Sequence, residues 1–135
     1  MAIRCFLGFL LSLFLSYSFF TAGINKLFPI DAPVYEYLVN VSQQWPKLFP
    51  WLGLDGTAIR LLIGVAETLG ALVLLLSPCI VSACLGGFVT LYLIAIMIGA
   101  VYLHVQTATD YTAAATLLCL LIVRHLVIPR KSCRC

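Results

Sequence analysis

Acidic residues are scarce in this sequence. Five aspartates and glutamates stand against eight lysines and arginines in 135 residues, and charged residues make up only 10%. The chain is instead 63% hydrophobic, with a mean hydropathy of +1.11. A soluble domain this short has too little interior to hide so much apolar surface. The bilayer is therefore its solvent. Chemical motifs are missing too. There is no Walker loop, dinucleotide-binding glycine fingerprint, His-x-x-x-His or Cys-x-x-Cys. No nucleophile–base pair is spelled out. A haem would want paired histidines, but His104 and His125 fall at opposite ends of their spans. The sequence thus offers no direct argument for catalysis, and no enzyme activity, cofactor or metal is expected. The net charge is +3, yet the basic residues gather near chain ends and helix ends. That distribution follows the positive-inside bias and does not suit a nucleic-acid binder.

What is present is a set of long apolar runs. A span needs about 20 apolar residues. Four segments qualify, at about 3–28, 58–77, 80–105 and 111–128. The expected fold is an all-α polytopic membrane protein: one domain over 1–135, a bundle of four transmembrane helices. "SPCIVS" makes a tight turn between the second and third spans, with Pro78 stopping the helix. The first span begins like a secretory signal, but its apolar run is too long for a signal core, and it is read as a span that stays.

The segment 29–57 is the only long connection. Asp31 is suited to cap a helix with Pro33 in its first turn. Val34, Leu38, Val41 and Trp45 then form one apolar stripe, which Pro46 should end. Tyr35, Tyr37, Trp45 and Trp51 suit an amphipathic helix lying in the membrane interface. An ordinary packed cap over the bundle fits the same pattern.

Four spans put both termini on one side. That side has Arg4, Arg130, Lys131 and Arg134 and no acid, whereas the other carries Lys26, Lys47 and Arg60 against Asp31, Glu36, Asp55 and Asp110. The bias places both termini in the cytosol, with a short basic tail at 129–135, and the segment 29–57 outside or in a lumen. None of the six cysteines lies in the lumenal segments, so no lumenal disulfide framework is expected. Cys133 and Cys135, beside basic residues, are candidates for palmitoylation; an inert tail of reduced thiols is the alternative. Asn40-Val41-Ser42 is a glycosylation sequon in the presumed lumenal segment.

Ionisable residues inside the spans need a reason. Arg60, Gly64, Glu67 and Ala71 share one face of the second span, and Ser12, Ser16, Gly23 and Lys26 make a small, polar stripe on the first. Glu67 lies about 13 Å below the start of its span. Lys26, Arg60, His104 and Asp110 sit near that same end, and a cluster around Glu67 is expected. It is either a ligand, proton or partner site, or a polar clamp that fixes helix order. Arg124 is expected to snorkel to lipid headgroups. Gly64, Gly86, Gly87 and Gly99 allow close helix approach, internally or to a partner.

Four stretches in order carry a resemblance: "FFTAGINKLFP", "IRLLIGVAETLGALVLLLSP", "AVYLHVQTATD" and "LLIVRHLVIPRK". The most specific pieces are G-x-x-K-L at Gly23–Leu27, R-x-x-x-G-x-x-E at Arg60–Glu67 and H-x5-D at His104–Asp110. Together they resemble DoxX-like four-helix membrane proteins, and among these the transmembrane protein 35 group, which includes the nicotinic receptor chaperone NACHO. That resemblance implies an endoplasmic-reticulum helper for assembly of an oligomeric membrane protein, working inside the bilayer. The partners it implies are lipids and client subunits, nicotinic receptor subunits among them; a homo-oligomer is a further candidate. Bacterial DoxX-like members are associated with membrane oxidoreductases. This supplies a rival reading, an integral redox-complex subunit binding a quinone or lipid near Glu67 and His104.

Overall fold

The structure is a computed structural model that describes residues 2–77 and 83–128. Among these residues every element is helical. α1 runs Ala2–Leu27, α2 Ala32–Ser42, α3 Trp45–Leu48, α4 Gly56–Leu76, α5 Ala83–Gln106 and α6 Thr112–Val127, with a 3-10 turn at Pro50–Leu52 before α4. Pro78, Cys79, Arg130, Lys131, Cys133, Arg134 and Cys135 lie outside the described residues, so the expected turn at Pro78, the basic tail and the palmitoylation candidates do too.

α1, α4 and α5 are long and apolar enough to cross a membrane. The fourth expected span falls short. α6 has 16 residues, about 24 Å of helix, against a hydrocarbon core of about 30 Å. The expected bounds of 111–128 are met to within one residue at each end, so the apolar run itself is short; before it the chain is irregular from Thr107 to Tyr111, with Ala108 at φ 53°. Among the described residues the architecture is thus three membrane-length helices and one shorter apolar helix.

The connecting segment folds as its local chemistry dictates. The Asp31 carboxylate accepts the Val34 N–H at 3.4 Å and Pro33 occupies the first turn of α2. Asp55 caps α4 in the same way, accepting the Ala58 N–H at 2.7 Å. Pro46 was expected to end α2 and does not. α2 stops at Ser42, and Pro46 sits in the first turn of the new helix α3, where a missing N–H costs nothing. The apolar stripe turns inward along its length: Val34 is exposed, Leu38 and Val41 are half-buried and Trp45 is buried. Tyr37 and Trp51 stay exposed.

The chain divides into two compact units. One comprises Phe19–Leu69 and the other Met1–Ser18 with Gly70–Cys135. In the Phe19–Leu69 unit, α1 and α4 meet at glycines. A Cβ on Gly23 would lie 2.8 Å from the Gly64 carbonyl oxygen, and one on Gly64 would lie 2.9 Å from the Lys26 Cβ. Only glycine permits that approach. The other unit packs Leu15, Ala71, Leu74, Leu93 and Leu121 in its core, and the Ser16 hydroxyl donates to the Ala71 carbonyl at 2.7 Å. Its α5 carries an exposed apolar row of Leu85, Phe88, Leu91, Ile98, Tyr102 and Val105.

Candidate functional site

Lys26 occupies the last turn of α1, and Glu67 lies halfway along α4. Lys26 Nζ donates to Glu67 Oε2 at 2.6 Å, with the two side chains 12% and 2% exposed. Nζ also donates to the Ala22 carbonyl at 3.4 Å. The glycine crossing brings the helices close enough for this pair to close. A carboxylate at this depth is tolerable only with such a partner.

Arg60 does not pair with Glu67. It donates through NH1 to the Lys26 carbonyl, and its guanidinium lies 4.9 Å from the centroid of the Tyr35 ring. The geometry follows from helix chemistry. Carbonyls in the last turn of α1 have no partner within that helix, and a cation there also meets the negative end of its dipole. Arg60 therefore ties α4 to the end of α1. It is only 5% exposed, and among the described residues its Nε has no hydrogen-bond partner. Trp45 Nε1 is likewise buried without a partner among them. Beside Lys26 a cleft of about 280 Å³ is lined by Thr21, Ala22, Asn25, Val34 and Leu38.

The five-residue cluster expected from sequence is distributed over both units. Lys26, Arg60 and Glu67 come together as described, while His104 and Asp110 belong to the other unit. There His104 Nδ1 lies 2.7 Å from the Thr109 hydroxyl. Asp110 is exposed and accepts from Thr112, at 2.5 Å from its hydroxyl and 2.9 Å from its N–H. These two bonds, with a smaller contribution from the charge on His104, hold its carboxyl below the ordinary aspartate range.

A second polar centre was missed at the level of sequence. Arg124 does not snorkel to headgroups; it is 5% exposed. Its Nε donates to the Ser12 hydroxyl at 2.9 Å, NH1 to the Thr90 hydroxyl at 2.5 Å and NH2 to the Ser77 hydroxyl at 2.8 Å. Each hydroxyl spends its own proton on its own chain segment. Ser12 donates to the Gly8 carbonyl, Thr90 to Gly86 and Ser77 to Leu74. That fixes their lone pairs toward the guanidinium. Ser12 belonged to the polar stripe visible in α1, but Ser77 and Thr90 are isolated hydroxyls in apolar runs. Nothing in their spacing connects them.

The glycines divide by their surroundings. Gly64 faces α1, and a Cβ on Gly86 would lie 3.3 Å from the Ser77 Cβ, so both are internal. A Cβ on Gly87 or Gly99 would meet nothing within 4 Å among the described residues. Asn40 is exposed, but Ser42 of its sequon is buried and donates to the Val39 carbonyl at 2.8 Å.

No curated protein matches the chain. The model of the DoxX-like family matches residues 10–126, a stretch that includes Ser12, Lys26, Arg60, Glu67 and Arg124. With a match over most of its length and three helices of membrane-spanning length and composition, the chain is an integral membrane protein that belongs to the DoxX-like family.

Proposed function

We propose that the protein is a membrane-embedded assembly factor for an oligomeric membrane protein, acting through contacts between transmembrane helices. One observation carries this reading. The buried ionisable groups Lys26, Arg60, Glu67 and Arg124 are turned inward and held by partners from the chain itself. α5 meanwhile offers an outward apolar row, with Gly87 and Gly99 open to a close neighbour. A client helix gains most where small residues let backbones approach. The client class proposed is a Cys-loop receptor subunit of the nicotinic type, met in the endoplasmic reticulum, with both termini of the chain cytosolic.

The rival reading is an integral subunit of a redox complex. The cleft beside Lys26 favours it, because the cleft would admit a small amphiphile with a carbonyl head. Affinity purification from membranes separates the two. Recovery of receptor subunits, lost on Gly87→Leu or Gly99→Leu without loss of the folded protein, supports the assembly factor. Recovery of a redox partner or bound quinone overturns it. Topology is tested by flexible sequon-bearing inserts after Asp55 and after Cys135. A glycosidase-sensitive mass shift is expected for the first alone, and the reverse pattern would overturn cytosolic termini. The native Asn40 is expected to stay unmodified in the folded chain, because its Ser42 is buried.

A further inference from the structure

Among the described residues Arg124 is a buried cation without a counter-charge. Its three partners are neutral hydroxyls whose protons are already committed. A guanidinium has five N–H donors. Three are used, so one N–H on each terminal nitrogen has no acceptor among the described residues. Within the compact unit that holds Arg124 the one acidic side chain is Asp110. It precedes α6, and from the start of that helix to Arg124 is about 18 Å. The C-terminal dipole of α6 favours a cation but supplies only a partial charge. A buried ion in an apolar protein calls for a full partner.

Position says where that partner comes from. Arg124 lies one turn from the end of α6, and Ser77 follows the last residue of α4. The guanidinium is therefore one turn from the ends of α4 and α6, while Ser12 and Thr90 lie about 15 Å and about 10 Å from the starts of α1 and α5; the end of α4 and α6 is the side from which a lipid headgroup would reach it. Two N–H groups on one planar fork match two oxygens of a phosphate. We propose that Arg124, oriented by Ser12, Ser77 and Thr90, is the centre of a phosphate-binding site whose occupant is the headgroup of an anionic phospholipid. The three hydroxyls hold the fork in one plane and leave its two remaining donors to the ligand. A zwitterionic lipid brings its own cation and leaves the charge of Arg124 uncompensated, so an anionic lipid binds more tightly.

The test uses the full chain in a neutral detergent and reads its melting temperature, since a ligand of the folded state raises it. Phosphatidylglycerol, phosphatidylcholine and inorganic phosphate are added separately. A rise of several degrees is expected with phosphatidylglycerol, a much smaller one with phosphatidylcholine and none with phosphate. Arg124→Gln is expected to abolish the difference between the two lipids. Arg124→Lys, which keeps charge but loses the fork, serves if the glutamine variant does not fold and should lose most of it. Arg130→Gln/Lys131→Gln should keep it. Equal effects of the two lipids on the native chain would overturn the proposal. So would a full response in Arg124→Lys, or its loss when the tail alone is changed. A rise with inorganic phosphate equal to that with phosphatidylglycerol would overturn the lipid as the source.

Discussion

Lys26 and Arg124 are both cations held inside an apolar helical protein, and they are satisfied in different ways. Lys26 meets a full negative charge, Glu67, at 2.6 Å. Arg124 meets three hydroxyl dipoles from α1, α5 and the end of α4. The first arrangement is electrically closed. The second gives each guanidinium nitrogen one acceptor but leaves two N–H groups and the charge without a partner among the described residues. The contrast teaches what each centre is for. A closed pair fixes which helices meet and leaves nothing for a ligand. An open one has strength left over.

The largest effect expected on this comparison comes from opening the closed centre. Glu67→Ala should leave Lys26 buried and unpaired and cost about 3–5 kcal/mol, read as a lower melting temperature in detergent. Lys26→Ala/Glu67→Ala together should cost less than the two single changes summed. Strict additivity would show that the pair is not coupled.

A smaller loss is expected in the open centre. Thr90→Val keeps the shape of the side chain but removes the acceptor for one guanidinium nitrogen, at about 1.5–3 kcal/mol. If added anionic phospholipid restores the variant as fully as it raises the native chain, Thr90 does not orient the fork.

Smaller again is the cost of spoiling the approach of α1 to α4. A methyl on Gly23 would lie 2.5 Å from the Thr68 hydroxyl and 2.8 Å from the Gly64 carbonyl oxygen. Gly23→Ala should cost about 1–3 kcal/mol by overpacking, and would weaken the Lys26–Glu67 pair more than the Arg124 centre. Gly87→Ala meets open space and should change stability by less than about 0.5 kcal/mol. A large loss there would mean that Gly87 is already in use within the chain.

Much of the fold was legible because membrane helices are written in composition and length. The apolar runs placed α1, α4 and α5 to within a few residues, and the Asp31 and Pro33 signals placed the start of α2. The shared face of Arg60, Gly64 and Glu67 is a consequence of helical period, and it does face α1 at Gly64 and Glu67. The role of Pro46 was misread because proline stops one helix and starts another equally well, and only the chain path separates the two.

The sequence by itself determined that this chain lives in a bilayer, where its helices run, and that Glu67 needs a cation. Those follow from local rules: apolar length, helical period and the cost of a bare charge in hydrocarbon. Only the tertiary structure decided which cation answers Glu67, and that Arg60 caps α1 instead. It alone decided that Arg124 turns inward to Ser12, Ser77 and Thr90. These choices depend on which helices touch and at what register, and residues as far apart as Ser12 and Arg124 carry no trace of that in their spacing. The physical reason is that a hydroxyl in an apolar run can always satisfy itself on its own helix, so its second use, as an acceptor for a neighbour, becomes visible only when the neighbour is in place.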